Sequence, residues 1–232
     1  MLKKTAMILA AGRGERMRPL TDTIPKPLLV VKDKPLIEHH VEGLKKAGYQ
    51  RIVINHAWLG ELIESALGDG SRFGLELLYC AEKSALETAG GIVNALPLLC
   101  ADQQDEYFTV VSADIYTDFD FASLPATLGQ NTAHLVMVAN PAHHPDGDFY
   151  LNDGKLHESE GEKLTFSGIA VYHRRFFDLL IEQKIAVMRI APLLKTAIKN
   201  GLVSGHKHSS SWSDVGTPER LAILNSKGVT QV

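Results

Sequence analysis

The most constraining feature of the chain is the segment at residues 9–27, which reads LAAGRGERMRPLTDTIPKP. An apolar run at residues 5–10 leads directly into this segment and predicts a buried first strand. The strand opens into a glycine-rich turn, whose backbone N–H groups can approach an anion without obstruction by Cβ atoms. Arg16, Arg18 and Lys26 follow in the same segment and can neutralise such an anion. The segment therefore predicts a loop that binds a polyphosphate.

Two common phosphate loops are excluded by the residues present. A dinucleotide-binding fingerprint needs a third glycine after Gly12 and Gly14, and that position holds Met17. A Walker A loop needs Gly-Lys-Ser/Thr, and the chain contains no such string. What remains is Gly-x-Gly-x-Arg, followed by Pro-Leu-Thr and Pro-Lys-Pro.

This pattern, together with Trp-Ser-Asp-Val-Gly-Thr-Pro-Glu at residues 212–219, resembles the signature of the sugar-1-phosphate nucleotidyltransferases. These enzymes are also called nucleoside-diphosphate-sugar pyrophosphorylases. Glu15 stands where the family commonly has Thr, and Ala113 stands where it usually has Gly before Asp114. Both departures lie beside signature residues and not on them. The resemblance covers both ends of the chain.

Size and charge agree with an enzyme that acts on small molecules. A chain of 232 residues is sufficient for one substantial core, so we expect a single nucleotidyltransferase domain over residues 1–232. The formal net charge of −3 gives no electrostatic reason to expect nucleic acid or an anionic membrane as a partner. The apolar run at residues 5–10 continues into the phosphate loop, so we interpret it as a strand and not a signal peptide, and we expect a cytoplasmic protein. Monomer and dimer both remain open.

Strand and helix patterns alternate along the chain. Helical spacing of apolar residues occurs at 36–47, 59–67 and 88–98, and short apolar runs separate these segments. Such alternation predicts an α/β, Rossmann-like fold with a mostly parallel, mixed sheet flanked by helices. We expect no C-terminal β-helix of the kind that longer members of the family carry. Residues 140–154 form the longest stretch without a periodic pattern and are interpreted as an irregular loop.

Two aspartates follow predicted strands. Asp114 comes after the β-branched run at 107–112, and Asp214 comes after residues 203–208 and before a helix that begins near Pro218. Either residue alone could be a turn or capping aspartate. Beside a phosphate loop they predict a Mg²⁺ site, because magnesium in proteins takes one or two carboxylates together with substrate phosphate oxygens.

The family resemblance implies roles for further positions. In enzymes of this kind an arginine and a lysine of the signature act in catalysis, backbone and small residues hold the nucleotide, and a later region holds the sugar phosphate. The implied set is Arg16 and Lys26 for catalysis; Ala11, Gly12, Gly14, Glu82, Ala89 and Gly90 for the nucleotide; Gly147, Lys163 and Gly168 for the sugar phosphate; and Asp114 and Asp214 for Mg²⁺.

Among compact members of the family, the chain most resembles uridylyltransferases that act on N-acetylmuramic acid α-1-phosphate in peptidoglycan recycling. The implied substrates are UTP and that sugar-1-phosphate. Its lactyl carboxylate requires a further basic or hydrogen-bonding group, and His143, His144 and Arg189 remain open for it. One alternative is a guanylyltransferase for mannose-1-phosphate or a heptose phosphate. A second is a non-catalytic, nucleotide-binding regulatory subunit.

Overall fold

A computed structural model describes residues 4–101 and 106–226. The helices are α1 Leu36–Lys46, α2 Gly60–Leu67, α3 Glu87–Leu99, α4 Asp178–Glu182, α5 Ile190–Lys199 and α6 Pro218–Ser226. The strands are β1 Thr5–Ala10, β2 Val30–Val31, β3 Lys34–Pro35, β4 Arg51–His56, β5 Glu76–Ala81, β6 Tyr107–Ser112, β7 Ile115–Thr117, β8 Ala133–Val138, β9 Phe149–Asn152, β10 Lys155–His157, β11 Glu162–His173, β12 Val203–Lys207 and β13 Trp212–Asp214.

A nine-stranded mixed sheet forms the centre of the described part, in the order β5-β4-β1-β6-β11-β8-β12-β10-β9. Strands β5, β4, β1 and β6 form one parallel group, and β8 and β12 are parallel to each other. The long strand β11 lies between these two groups and is antiparallel to both β6 and β8. The α/β fold class with a mixed sheet flanked by helices is thus confirmed.

Each face of the sheet packs against its own helices. Met7 of β1 points to the face covered by α3 and α5, whereas Ala6 and Ile8 point to the face covered by α1 and α2. This alternation follows from the two-residue period of a strand. Because both faces are buried, β1 is apolar at every residue after Thr5, as expected for a strand within a group of parallel strands. Its carboxyl end therefore leads into the phosphate loop from a fixed position.

A second, two-stranded sheet of β7 and β13, called the ribbon below, holds the two aspartates next to each other. Strands β7 and β13 pair antiparallel, with Asp214 directly opposite Ile115. The N–H of Val215 also donates a hydrogen bond of 2.7 Å to the carbonyl of Asp114. Residues that are 100 positions apart in the chain are therefore adjacent in space.

The prediction of an irregular loop over residues 140–154 is wrong in its last third. Phe149–Asn152 forms β9, which pairs antiparallel with both β10 and β11. The turn between β9 and β10 is Asp153-Gly154, with φ values of 46° and 73°. An Asp-Gly pair with positive φ at both positions is a preferred two-residue hairpin turn. The Asp-Gly pair is a turn signal that could have indicated the strand β9 from the sequence.

Within the described residues, no helix is both long enough and apolar enough to span a bilayer.

Candidate active site

The glycine-rich loop follows β1 as a series of short 3₁₀ turns. Gly14 has φ 69°, a conformation that side chains other than Gly rarely adopt. A Cβ atom at Gly14 would also lie 3.1 Å from Cγ2 of Thr21, closer than normal packing allows. The N–H of Met17 donates to the carbonyl of Gly14, and the Met17 side chain is fully buried. Glycine at this position is thus required by both backbone conformation and space.

Side-chain contacts hold the phosphate loop in place from its outer side. The guanidinium of Arg13 stacks over the ring of Trp58 at 4.0 Å and donates to the carbonyl of Thr21 at 2.7 Å. The hydroxyl of Thr21 in turn donates to the carbonyl of Gly14 at 2.9 Å. Arg13 also donates to Asp22 at 2.8 Å, and this hydrogen bond is the main reason that the pKa of Asp22 is lowered. Neither Arg13 nor Trp58 was predicted as a site residue.

Two cavities adjoin at the carboxyl end of the parallel strands. The first, about 820 Å³, is bounded by the phosphate loop, the end of β4 and the segment between β5 and α3. The second, about 510 Å³, is bounded by β11, the ribbon and residues 141–144. Both cavities are lined by Leu9, Arg16, Thr88, Ser112 and Asp114. The arrangement provides two binding spaces that meet at one charged junction.

The junction is formed by the ion pair of buried Lys26 with half-exposed Asp114 and by an exposed arginine. Lys26 is only 8% exposed, and its Nζ donates to Oδ2 of Asp114 at 2.7 Å. Arg16 is exposed and lines both cavities. Positive groups at the point where two ligands meet can neutralise two anions that must approach one another.

The two carboxylate oxygens of Asp214, across the ribbon from Ile115, have different surroundings. Its Oδ2 accepts a hydrogen bond from Arg220 of α6. Its Oδ1 is buried and accepts no hydrogen bond from the described residues, although His143 Nε2 lies 3.0 Å away without hydrogen-bond geometry. A buried carboxylate oxygen with no donor is costly unless another partner completes it.

These residues fit a divalent metal. Asp114 and Asp214 both line the second cavity, and hard cations such as Mg²⁺ prefer carboxylate oxygens. Within residues 4–101 and 106–226, no group of three or more His, Cys, Asp or Glu side chains converges on one point. A pair of carboxylates would leave the other coordination positions of such an ion to phosphate oxygens and water.

The ribbon is fixed to α1 by a buried histidine. Nε2 of His40 lies 2.8 Å from the carbonyl oxygen of Ile115, and the ring must donate because a carbonyl only accepts. Burial lowers the pKa of His40 to about 4, so the ring is neutral near pH 7. His39 packs edge-on against Tyr116 and bonds the carbonyl of Val31. The two histidines therefore hold the strand that follows Asp114.

The far wall of the first cavity contains a buried amide–carboxylate pair. Asn55, near the end of β4, is 3% exposed, and Glu82, directly after β5, is 9% exposed. Nδ2 of Asn55 donates to Oε1 of Glu82 at 2.6 Å, and Oδ1 of Asn55 accepts from the N–H of Ala10 at 3.0 Å. Asn55 was not predicted, although it lies at a strand end like Glu82 and Asp114.

The structure brings most of the predicted site residues to the two cavities. The first cavity is lined by Ala11, Gly12, Gly14, Arg16, Lys26, Glu82 and Asp114, and the second by Arg16, Asp114, Gly168 and Asp214. A Cβ atom at Gly168, which has φ 86°, would lie 2.8 Å from Oγ of Ser112, so this position leaves no space for a side chain.

Four of the predicted residues do not line either cavity. Ala89 and Gly90 are buried in α3, where their N–H groups bond the carbonyl of Met188. Gly147 and Lys163 are absent from the walls of both cavities.

The three basic residues left open for the lactyl group separate in space. His143 and His144 line the second cavity, whereas Arg189 lies outside it and pairs with Glu87 at 3.6 Å.

Comparison with known proteins agrees with this geometry. Residues 5–149 match the family described as nucleotidyl transferase. The chain is 51% identical over 227 residues to an N-acetylmuramate α-1-phosphate uridylyltransferase of Neisseria meningitidis serogroup B, covering 93% of this chain and 94% of that protein. It is 35% identical over 226 residues to a mannose-1-phosphate guanyltransferase (beta-B) of Xenopus laevis, covering 92% of this chain and 61% of that one.

Solved structures show the same fold. A crystal structure described as a glucose-1-phosphate thymidylyltransferase of Bacillus anthracis superposes with a TM-score of 0.83 at 22% identity, covering 100% of this chain and 97% of that chain. HddC of Yersinia pseudotuberculosis superposes with a TM-score of 0.78 at 20% identity, covering 97% and 99% of the two chains. On the family match and the near full-length relative, the chain belongs to the nucleotidyl transferase family and is an enzyme of the sugar-1-phosphate nucleotidyltransferase type.

Proposed function

We propose that the enzyme transfers a uridylyl group from UTP to N-acetylmuramic acid α-1-phosphate, giving UDP-N-acetylmuramic acid and pyrophosphate, in peptidoglycan recycling. The observation that carries the proposal is the pair of adjoining cavities that share Arg16 and Asp114 at their junction. A reaction between two phosphorylated substrates needs two such spaces with positive charge between them. The relative that matches over nearly the full length of both chains supports the choice of base and sugar.

The reaction is an in-line displacement at phosphorus. An oxygen of the sugar phosphate attacks the α-phosphorus of UTP, the bond between that phosphorus and the bridging oxygen breaks, and the electron pair leaves with pyrophosphate. No general base is needed, because the attacking phosphate is already ionised near neutral pH. The barrier is therefore mainly the alignment and charge repulsion of two anions.

Arg16 and Lys26 would supply the positive charge from the protein. Arg16 lies on the loop that follows β1, and we assign it to the pyrophosphate that leaves. Lys26 is buried beside Asp114, and we assign it to the α-phosphate at the junction. Its ion pair with Asp114 holds the ammonium group in place before substrate arrives. A preorganised cation costs no reorganisation during the reaction.

Asp114 and Asp214 would hold Mg²⁺, which when bound adds positive charge at the phosphate oxygens. The buried Oδ1 of Asp214, which accepts no hydrogen bond from the described residues, supports this role. Backbone groups of Ala11, Gly12 and Gly14 would bind the nucleotide, and Gly168 would lie against the sugar. Ala89, Gly90, Gly147 and Lys163 have less support, because they do not line the cavities.

Glu82 would select the base. A carboxylate only accepts hydrogen bonds, so it can accept from N3–H of uracil but is repelled by the unprotonated N3 of cytosine. The first cavity, which we assign to the nucleotide and call the nucleotide cavity, should therefore favour UTP and dTTP over CTP. His143 and His144 are the better supported candidates for the lactyl carboxylate, since both line the second cavity, which we assign to the sugar phosphate.

A guanylyltransferase remains the second candidate. Guanine presents N1–H and N2–H₂ donors, so an acceptor-only Glu82 is compatible with GTP as well. The similarity to mannose-1-phosphate guanyltransferases points in the same direction.

Magnesium-dependent pyrophosphate release tests the proposal. UTP, GTP, dTTP and CTP are each combined with the 1-phosphates of N-acetylmuramic acid, N-acetylglucosamine, glucose and mannose. Release mainly with UTP and the muramic acid derivative is the expected result. Release mainly with GTP and mannose-1-phosphate would replace the substrates and retain the site.

We further propose that residues 1–232 form one nucleotidyltransferase domain and that the enzyme acts in the cytoplasm. The continuous sheet, which joins the N-terminal strands to β12, supports a single domain.

A further inference from the structure

Asn55 connects the phosphate loop to the acidic residue of the nucleotide cavity. Its two amide groups have distinct partners. Because the N–H of Ala10 can only donate, the group that faces it at 3.0 Å must be the amide oxygen of Asn55. The amide nitrogen then faces Oε1 of Glu82 at 2.6 Å as a donor. The orientation of the Asn55 side chain is thus determined by chemistry at both ends.

Glu82 is held from two sides. Oε1 accepts from Asn55, while Oε2 lies 3.4 Å from the N–H of Leu86 at the start of α3. The backbone N–H of Glu82 donates to the carbonyl of His56 at 2.8 Å. The carboxylate is buried and has little freedom to turn, so it presents its remaining acceptor positions in a single direction.

Space for this pair comes from a glycine of α3. A Cβ atom at Gly91 would lie 2.6 Å from Oε1 of Glu82 and 2.9 Å from Nδ2 of Asn55. Any larger residue would therefore displace one member of the pair. The small residues predicted to contact the base were Ala89 and Gly90, but the glycine that shapes this wall is Gly91.

We propose that Asn55 is the positioning residue for base selectivity, because it fixes Glu82 as an acceptor that discriminates bases with an imide N–H from bases without one. This inference rests on the proposed function. If the bond from Asn55 is lost, the carboxylate can turn toward the N4–H₂ of cytosine. The preference of the enzyme for UTP over CTP then becomes smaller.

The substitution Asn55→Asp separates the two bonds of Asn55. An aspartate can still accept from the N–H of Ala10, but it cannot donate to Glu82 when ionised. We expect the ratio of kcat/KM for UTP over CTP to narrow by about 10- to 100-fold, the range for one hydrogen bond to a charged group. Asn55→Leu, which removes both bonds at similar volume, should narrow the ratio at least as much.

A pH profile distinguishes positioning from a general structural role. Two carboxylates in contact share a proton more readily than either would alone. Acidification of Asn55→Asp should therefore restore a hydrogen bond from Asp to Glu82 and recover part of the selectivity, whereas Asn55→Leu should show no such recovery. Asn94→Asp is the matched control, since Asn94 lies on α3, bonds Cys80 and lines neither cavity.

Dissociation constants for UTP, CTP, GTP and ATP, measured by calorimetry without the sugar, separate this inference from the proposed function. Wild-type enzyme that binds GTP in preference to UTP would replace the proposed substrate, and GTP over ATP would then be the ratio to follow. Wild-type selectivity retained in a folded Asn55→Asp variant would overturn the role of Asn55. Equal losses for all four nucleotides, at every pH, would do the same.

Discussion

Arg16 and Arg18 lie two residues apart on the phosphate loop but face different surroundings. Arg16 lines both cavities, whereas Arg18 lines neither and pairs with Asp22 at 2.8 Å. We expect Arg16→Ala to lower kcat by about 10²- to 10³-fold, the effect of removing one preorganised charge contact. Arg18→Ala should remain within a few-fold of wild type. Steady-state rates of pyrophosphate release for both variants provide the check, and equal losses in the two would contradict the assignment of Arg16.

Asp214 provides a second prediction for a single side chain. Asp214→Asn keeps the size of the residue but removes the charge that a metal requires, so kcat should fall by about 10²- to 10³-fold and the Mg²⁺ concentration for half-maximal rate should rise. Asp118→Asn, on an exposed carboxylate paired with His208, is the control. A folded Asp214→Asn variant with wild-type rates and Mg²⁺ dependence would exclude Asp214 as a metal ligand.

Single residues also show which parts of the site are readable from sequence. Asp114 was identified because it follows a strand, and Glu82 was identified through the family resemblance. Asn55 lies at a strand end as well, but its importance depends on Glu82, which is 27 residues later on the neighbouring strand. Gly91 was missed for a different reason: adjacent helical positions differ by about 100°, and only the packed structure reveals which glycine faces the wall.

At the scale of elements, the β7–β13 ribbon determines where the two aspartates meet. Its attachment to α1 through His40 was not predicted. We expect His40→Leu to destabilise the protein by about 1–3 kcal/mol, since the carbonyl of Ile115 loses its buried donor. The apparent affinity for Mg²⁺ should weaken as well, because the ribbon carries both aspartates.

Urea denaturation and Mg²⁺ titration of the rate measure these two effects. His40→Gln, which retains a donor, should recover part of both. A His40→Leu variant that is less stable but has an unchanged Mg²⁺ dependence would restrict His40 to a role in packing.

Strands with continuous apolar runs were predictable from the sequence, and very short strands were not. The boundaries of β1 and β6 agree with the predicted strands, because continuous apolar runs identify strands that are buried on both faces. The ribbon strands contain three residues each, too few for a period to be recognised. Their pairing depends on contacts across the whole chain, so the proximity of the two aspartates was inferred from chemistry and not from pattern.

At the scale of the whole molecule, burial affects several histidines together. The pKa values of His40 and His134 are lowered to about 4, mainly because burial penalises the charged ring. The pKa values of His173 and His206 are lowered for the same main reason. His134 bonds Ser204 and His206 at 2.8 Å each. These three side chains on β8 and β12 therefore form a hydrogen-bonded series in which both rings are neutral near pH 7.

These shifts predict a loss of stability in mild acid. An unfolded histidine binds a proton near pH 6.5, whereas folded His40 and His134 bind one only near pH 4. Between these values the unfolded state holds more protons, so the free energy of unfolding must fall as pH is lowered, by up to about 1.4 kcal/mol per pH unit for each fully uncharged histidine. Above pH 6.5 these histidines should have no effect on the pH dependence, and below pH 4 their contribution should stay constant.

Urea denaturation at half-unit steps from pH 7.5 to 4 measures this slope directly. His40→Gln removes one of the titrating rings, so its stability should fall less steeply than that of wild type between pH 6.5 and 4, by about one proton in the slope. The double variant with His134→Gln should be flatter again, because His40 lies on α1 and His134 on β8, and the two rings bond different partners. A wild-type stability that is independent of pH over this interval would mean that the rings are protonated in the folded state, and parallel curves for all three proteins would assign the acid sensitivity to other groups.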